Sequence, residues 1–201
     1  MVAPLRLGVL ASGRGSNLVA IQRAIDRGDL AARVAVVISN NSQSAALAFA
    51  REHGAAAVHV SAKTHADPGA AMLESLRDAG VELLVLAGYM KLLDPRVVAA
   101  YAGRALNIHP GPLPRFGGPG MYGQRVHEAV LAAGVSTSAA TVHRVTEAYD
   151  EGEVVGSRSV PVVPGDTPDS LAARVLAAEH DLYWRVLAQE GARLRAAGPS
   201  A

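Results

Sequence analysis

The sequence predicts an α/β protein with a Rossmann-like, mostly parallel sheet, helices on both faces of that sheet and an antiparallel addition near the C-terminus. Short runs rich in Val, Leu and Ile alternate with longer Ala-rich amphipathic segments along most of the chain. This alternation is typical of βαβ units, in which successive strands run parallel. From Ser138 onward the order becomes strand, strand, helix, which predicts that the last strands are antiparallel.

Each element is justified by its own apolar pattern. The predicted strands span residues 5–10, 33–38, 57–60, 82–86, 104–108, 139–144 and 153–163. The predicted helices span residues 16–27, 42–53, 68–79, 95–101, 123–133 and 168–190. Sheets of this class bind ligands in the crevice beyond the carboxyl ends of their strands. Polar residues at those ends are therefore the first candidates for a functional site.

The composition fits one globular domain over residues 1–201. Half of the residues are hydrophobic, 18% are charged and the net charge is +1, with the arginines spread along the chain. That spread argues against a nucleic-acid partner. The sequence has no cysteine, which excludes disulfides, thiol nucleophiles and zinc–thiolate sites. No apolar run approaches the roughly 18 residues of a membrane span, and no secretion signal is recognisable, so we expect a cytoplasmic protein without a membrane partner.

The stretch "ASGRGSN" after the first strand indicates an anion site. Gly13 and Gly15 allow the backbone to approach a ligand closely, and Ser16 and Asn17 begin the next helix. Unbonded N–H groups at a helix start, with the positive end of the helix dipole, bind phosphate. Leu18 stands where a dinucleotide motif needs a small residue, and no Walker lysine follows. The stretch predicts a mononucleotide-like phosphate site, with a tight turn capped by serine as the alternative.

The stretch "LNIHPGPLP" at 106–114 ends a strand with two polar side chains. In a strand Asn107 and His109 point the same way, while Ile108 points into the core. Pro110 then stops the strand and leaves both side chains at the edge of the sheet. An amide and an imidazole side by side suit a carbonyl oxygen that becomes negative. A structural histidine with its hydrogen bonds satisfied in the core is the alternative.

Four segments together resemble the folate-dependent formyltransferases in their order and spacing. They are "SGRGSN", "LAGYMKLL" (86–93), "LNIHPGPLP" and "TVHRVTEAYDEGEVV" (141–155). The resemblance runs from about residue 5 to about residue 190 and implies the formyltransferase fold. It implies a single domain with a phosphate-binding half at about 1–103 and a folate-binding, catalytic half at about 104–190. The tail at 191–201 is expected to be frayed.

The resemblance also implies a reaction and the residues that perform it. The chain would transfer the formyl group of its co-substrate, 10-formyltetrahydrofolate, to the amine of glycinamide ribonucleotide in purine synthesis, without a metal. The catalytic trio would be Asn107, His109 and Asp150. The residues binding the ribonucleotide would be Gly13, Gly15, Ser16, Asn17 and Glu179. The folate would contact Met90, Lys91, Leu92, Leu93, Asn107, Thr146, Glu147, Tyr149 and Asp150. His143 would support the trio without touching either substrate, and the partners would be small molecules, with the chain a monomer or homodimer.

Formyl transfer gives each member of the trio a task. Attack of a neutral amine on the formyl carbon creates an oxyanion, to which Asn107 and a protonated His109 would donate. Asp150 beside the imidazole would favour its charged form. Asp150 would also hold a water that carries a proton from the amine to the departing folate nitrogen.

Some positions depart from the family pattern, and other functions remain open. The loop at 111–125 is longer than usual and leads into Arg125 and His127, while Gly69 and Ala139 replace residues that are usual there. A formyltetrahydrofolate deformylase would share the trio but normally has an additional N-terminal domain. A methionyl-tRNA formyltransferase would need a tRNA-binding domain. A non-catalytic nucleotide-binding or sensor module is a further alternative, against which the intact trio argues.

Overall fold

The computed structural model describes residues 3–197, which form seven strands and six helices. The strands are β1 (Leu5–Leu10), β2 (Ala32–Ser39), β3 (Ala56–His59), β4 (Leu83–Leu86), β5 (Ala105–His109), β6 (Thr137–Arg144) and β7 (Val154–Pro161). The helices are α1 (Ser16–Asp26), α2 (Ala45–Glu52), α3 (Pro68–Asp78), α4 (Pro95–Ala100), α5 (Gln124–Ala132) and α6 (Pro168–Ala197). Every predicted element is confirmed, and one end, that of α6, differs from its prediction by more than three residues.

All seven strands form one sheet in the order β3-β2-β1-β4-β5-β6-β7. The first five strands pair in parallel, whereas β6 runs antiparallel to both β5 and β7. The mixed sheet with an antiparallel C-terminal addition is therefore confirmed. Strands β1, β2 and β3 follow one another toward one edge of the sheet, whereas β4 and β5 follow one another toward the other edge. The order in which strands are added therefore reverses between β1 and β4. Such a switch point opens a crevice at the carboxyl ends of the strands.

Apolar side chains alternate between the two faces of the sheet and form two cores. On one face β-strand residues such as Val9 and Val85 pack with α1, α2, α5 and α6. On the other face residues such as Leu10 and Leu84 pack with α3 and α4. Burial of this area is the main term that stabilises the fold and fixes the strand ends that carry the polar residues.

The last helix corrects the expectation of a frayed tail, because α6 continues to Ala197. Arg193 Nη2 donates to the carbonyl oxygen of Gly103 at 2.8 Å, and Arg195 Nη2 donates to that of Ala31 at 3.0 Å. These contacts fix residues that the apolar pattern left out, while residues 198–201 lie outside the described part. Although α6 has 30 residues, within 3–197 no helix combines the length and apolar character needed to cross a membrane.

The glycine at position 69 is explained by a cluster of charges between α3 and α4. Arg96 forms ion pairs with Asp67, the N-cap of α3, at 2.6 Å and with Asp94, the N-cap of α4, at 2.8 Å. A Cβ atom on Gly69 would collide with the side chains of Asp94 and Arg96. The small residue therefore lets the two helix starts approach, and this fixes the chain just after residues 90–93.

Candidate active site

A cavity of about 470 Å³ lies at the switch point of the sheet. Its walls come from the segments that follow β1 and β4, from the end of β5 and from the loop at 118–124. Helix α6 closes the cavity through Ala172, Leu176 and Glu179. The crevice predicted at the carboxyl ends of the strands is therefore present, and three strand ends meet there.

The predicted phosphate cradle forms one wall of this cavity. Gly15 precedes α1 with φ 73° and ψ 28°, a left-handed conformation that glycine adopts without the strain of a Cβ atom. No side chain caps the first turn of α1, and this turn contains no acidic residue. The alternative of a turn capped by serine is therefore wrong for this helix. Its first N–H groups and its positive dipole end face a cavity lined by Gly13, Gly15 and Ser16.

Ser12 connects this cradle to the segment that follows β4. Its Oγ donates to Asn40 Oδ1 at 2.6 Å and accepts from the backbone N–H of Met90 at 2.9 Å. The backbone N–H of Ser12 donates to the carbonyl oxygen of Gly88 at 3.0 Å. The two loops that face the cavity from neighbouring strands are thus fixed relative to each other.

Asn17 and Glu179 form a buried pair across the same wall. Asn17 Nδ2 donates to Glu179 Oε2 at 2.7 Å, and the two residues are 8% and 7% exposed. Burial raises the pKa of Glu179 to about 7, which the hydrogen bond from Asn17 opposes in part. Asn17 Oδ1 is buried and has no partner within the described residues. The carboxyl group of Glu179, oriented by Asn17, thus lines the cavity next to the cradle.

Asn107 is oriented by the strand next to it. It lies opposite His143 in the β5–β6 ladder, and Nδ2 of Asn107 is 3.0 Å from Nε2 of His143. Nδ1 of His143 is 2.9 Å from the carbonyl oxygen of Arg144, which can only accept. Nδ1 therefore carries a hydrogen, and Nε2 lies between the amide of Asn107 and the carboxylate of Asp150. The second amide hydrogen of Asn107 is directed at Asp150 Oδ1 over a longer distance of 3.5 Å, so a substrate oxygen could replace this contact.

Asp150 comes from a strained turn in the loop between β6 and β7. Its φ is 57°, a left-handed conformation that is uncommon outside glycine and is often found at functional sites. Oδ1 lies 3.3 Å from His143 Nε2, and Oδ2 lies 3.5 Å from His109 Nδ1. Burial alone would raise the pKa of Asp150, but His143, the charge of His109 and the Gly118 N–H together lower it. The carboxylate is thus ionised between two imidazoles.

His109 is 3% exposed, and its two nitrogens have different neighbours. Nε2 is 2.8 Å from the carbonyl oxygen of Phe116, so it carries a hydrogen, and Nδ1 faces Asp150. Burial lowers the pKa of His109, and the attraction of Asp150 and the Phe116 contact offset this only in part. Asp150 favours the charged form of His109, as expected, and desolvation of the buried cation works against it.

A smaller pocket of about 50 Å³ adjoins the cavity behind the trio. Four residues line both pockets, namely Tyr89, Asn107, Tyr149 and Asp150. The remaining walls of the smaller pocket include Lys91, Leu92, Leu93, His143 and Thr146. A flat ring bound there would lie against the edge of the trio, with the apolar residues of the smaller pocket on its other side.

Comparison with known proteins decides the family. The sequence profile described as "Formyl transferase" matches residues 5–187. The chain belongs to the formyl transferase family. It is 39% identical over 185 residues to the chloroplastic phosphoribosylglycinamide formyltransferase of Vigna unguiculata, an alignment that covers 90% of this chain and 59% of that protein. The chain thus spans about three fifths of the length of the plant relatives that it matches.

Solved structures of the formyl transferase family have the same fold. Glycinamide ribonucleotide transformylase 1 from Symbiobacterium toebii superposes with a TM-score of 0.87 at 38% identity, covering 95% of this chain and 90% of that chain. A formyltetrahydrofolate deformylase from Pseudomonas syringae superposes with a TM-score of 0.83 at 25% identity, covering 96% of this chain and 62% of that chain. The fold is therefore common to transferring and hydrolysing members.

The structure brings together nearly all of the residues that the sequence singled out. The main cavity is lined by Gly13, Gly15, Ser16, Asn17, Met90, Asn107, His109, Tyr149, Asp150 and Glu179. Lys91, Leu92, Leu93 and Thr146 line the smaller pocket. His143 contacts Asn107 and Asp150 from the side of the smaller pocket. Glu147 is exposed and lines neither pocket, so the structure does not bring it into the site.

Sequence reasoning missed several residues of the cavity wall. Arg14 lines the cavity within the cradle itself, and a cation between two glycines of a phosphate loop could have indicated its position. Tyr89 lines both pockets. His127 lies on the buried face of α5 and also lines the cavity. Its neighbours Val126 and Val130 mark that face as buried, which is the only signal in the sequence that it points inward.

Proposed function

We propose that this chain transfers the formyl group of 10-formyltetrahydrofolate to the amine of glycinamide ribonucleotide, a step of purine synthesis. The observation that carries the proposal is one cavity that joins an uncapped helix start to the trio Asn107, His109 and Asp150. The formyl transferase family, and relatives named phosphoribosylglycinamide formyltransferase, support it.

The ribonucleotide would enter with its phosphate at the start of α1. Gly15, Ser16 and Asn17 supply backbone N–H groups there, and the helix dipole favours the negative charge. Glu179, oriented by its hydrogen bond from Asn17, would accept hydrogen bonds from the ribose hydroxyls. The amine at the other end of the substrate then lies near the trio, because the same cavity contains both groups.

The folate would place its ring in the smaller pocket, against residues 91–93 and Tyr149. The formyl group would then face the cavity at the carboxyl end of β5. Nucleophile and formyl carbon would meet beside Asn107, whose long contact with Asp150 is replaced by the formyl oxygen. Holding both reactants in one geometry lowers the entropic part of the barrier.

The chemical step would require stabilisation of one oxyanion and transfer of one proton. The amine attacks the formyl carbon, and Asn107 donates to the oxygen as it becomes negative. Negative charge beside His109 raises the pKa of this imidazole, so the ring can take up a proton during the step and donate to the oxyanion. A proton leaves the amine, Asp150 accepts or relays it, and the folate nitrogen receives one as its bond to the formyl carbon breaks.

A deformylase is the second candidate, because the trio could activate water instead of an amine. The cradle and the buried pair of Asn17 and Glu179 favour the transferase, since hydrolysis has no use for a phosphate site. Assays of formyl release with and without glycinamide ribonucleotide distinguish the two. Dependence on the ribonucleotide supports the transferase, and equal release without it supports the hydrolase. A cytoplasmic location and the choice between monomer and homodimer stay predictions.

A further inference from the structure

His127 is a buried histidine of the cavity wall that has no task in the chemistry above. It lies in α5, where its neighbours Val126 and Val130 pack into the same core as Ile108. Its side chain is 4% exposed, and its ring lines the main cavity. A buried polar ring of this kind is expected to have a hydrogen-bond partner, whether from the protein, a water molecule or a ligand.

Among residues 3–197, no side chain or backbone group forms a hydrogen bond with the ring of His127. Nδ1 is fully buried and accepts or donates no hydrogen bond within residues 3–197. No hydrogen bond of Nε2 to the described residues is present either, Nε2 is not among the fully buried unpaired atoms, and His127 lines the cavity. A buried N–H without an acceptor is rare in native proteins. The favoured tautomer therefore carries its hydrogen on Nε2, as a donor directed into the cavity.

The start of α5 packs directly on the end of β5. A Cβ atom on Gly111 would lie 2.6 Å from Val126 Cγ1 and 3.2 Å from His109 Nε2. His127 follows Val126 in this turn, and a charge on His109 affects the pKa of its ring. Burial lowers the pKa of His127, and the charge of His109 lowers it further. Both effects favour the uncharged form of this ring next to the trio.

Several polar side chains of this region already have partners. His109 Nε2 contacts the Phe116 carbonyl oxygen at 2.8 Å, and Asp150 Oδ2 accepts from the Gly118 N–H at 3.0 Å. Asn17 and Glu179 bond to each other at 2.7 Å. Nε2 of His127 is thus a donor without a partner among residues 3–197, and an uncharged donor matches an uncharged oxygen better than it matches a phosphate.

We propose that Nε2–H of His127 hydrogen-bonds to the carbonyl oxygen of the glycinamide group and so turns the attacking amine toward the formyl carbon. This inference rests on the proposed function and deepens it. With the phosphate at the cradle and the amine at the trio, the glycinamide carbonyl lies two bonds from the amine and next to His109. His127 is then a residue that positions the substrate by direct contact and exchanges no proton.

Three substitutions distinguish the effect of the hydrogen-bond donor from the effect of the ring volume. His127→Gln keeps an amide near the position of Nε2, His127→Asn keeps one near that of Nδ1, and His127→Phe keeps the ring volume without a nitrogen. We expect His127→Phe to lower kcat/KM for the ribonucleotide by about 10- to 100-fold, the usual effect of one lost hydrogen bond to a buried group. Binding of the folate should not change. Gln should restore most of the loss, and Asn should restore little.

Contrary outcomes are equally clear. Wild-type kcat/KM in His127→Phe, or rescue by Asn as good as that by Gln, would overturn the inference. If His127→Phe does not fold, as thermal unfolding would show, the comparison of Gln with Asn decides. Addition of glycinamide ribonucleotide alone should also shift the His127 ring ¹⁵N resonances of the wild type, and no shift overturns the contact. If the wild type transfers no formyl group to the ribonucleotide, the proposed function fails by itself, whatever the variants do.

Discussion

Oδ2 of Asp150 accepts a hydrogen bond of 3.0 Å from the backbone N–H of Gly118. This contact joins the loop after β6 to the loop that covers the cavity. Gly117 lies so close to Asp150 that an added Cβ would come within 2.9 Å of the Asp150 Cβ. The carboxylate that faces His109 and His143 is therefore also the point where the covering loop is attached. The loop and the trio should respond together to any change at this residue.

Asp150→Asn should remove the negative charge of this side chain while keeping its shape. Asparagine tolerates a φ of 57° as well as aspartate does, so the backbone should be retained. Loss of the carboxylate should reduce kcat by roughly 10²- to 10⁴-fold, as lost acid–base assistance does, while both substrates still bind. The pKa of His109 should fall further, because the attraction of Asp150 raises it. Steady-state kinetics and an NMR titration of His109 measure both effects.

The neighbouring exposed acid, Glu151, provides a matched control. Glu151→Gln removes the same charge one residue away and should leave kcat and the His109 titration unchanged. A His109 pKa that is the same in wild type and Asp150→Asn would show that the two residues are not coupled. An unchanged kcat would remove Asp150 from the mechanism.

Asn107→Ala should remove the donor to the oxyanion. The expected loss in kcat is about 10²- to 10³-fold, the usual cost of one such donor. Folding should survive, because Asn107 lies at a strand end and is half-buried. His143 Nε2 loses its partner at the same time, so a modest fall in the free energy of unfolding should accompany the loss. Near-normal kcat in a folded variant would rule out the role.

Gly15→Ala should damage binding of the phosphorylated substrate. An added Cβ would approach Ala46 Cβ to 2.9 Å, at a residue whose φ is 73°. We expect a large rise in KM for the ribonucleotide and little change in folate affinity. Gly28→Ala is the control, because Gly28 has a similar φ of 78° and no atom within 4 Å of the added Cβ. It should lose stability by about 1 kcal/mol and keep both KM values. Equal damage to both substrates in Gly15→Ala would count against the cradle.

Glu179 should make stability depend on pH in an unusual direction. Its pKa is about 7 in the folded protein against an ordinary 4.5, so the folded state holds this proton more tightly than the unfolded state. The stabilisation is complete below about pH 4.5 and is lost as the pH rises to about 7. The shift corresponds to roughly 3 kcal/mol.

Glu179→Gln removes this titration and isolates it from other groups. The free energy of unfolding of the wild type, minus that of the variant, should fall by roughly 3 kcal/mol between pH 4.5 and pH 7 and stay level above. The variant should also bind the ribonucleotide more weakly, since it loses the carboxylate next to the cradle. Denaturant unfolding at several pH values tests the first point. A difference that does not change with pH would contradict the burial argument.

The strands and the trio could be predicted because their signals are local. Alternating apolar runs place β1 and β5 within one residue of the observed ends, and Pro110 marks where Asn107 and His109 reach the edge of the sheet. The end of α6 could not be predicted, because its last turns are held by Arg193 and Arg195 through contacts with carbonyl groups distant in sequence. Nothing in the local pattern of "RLRAA" shows these partners.

Charge state and loop placement were also beyond the sequence. The prediction of a protonated His109 considered the attraction of Asp150, and the structure adds the opposing cost of burying a ring that is 3% exposed. Glu147 was predicted as a site residue because it belongs to the matching motif, although the turn exposes its side chain to solvent. His127 was noted only as part of an unusual loop, because its unpaired nitrogen can be recognised only when the core around α5 is known.

The dependence of formyl release on the amine substrate tests the central claim most directly. Purified protein is incubated with 10-formyltetrahydrofolate, and tetrahydrofolate and formylated product are measured with and without glycinamide ribonucleotide. The account predicts that tetrahydrofolate appears only with the ribonucleotide and in equal amount to formylated ribonucleotide. Equal release of tetrahydrofolate without the ribonucleotide, with formate as the product, would contradict it.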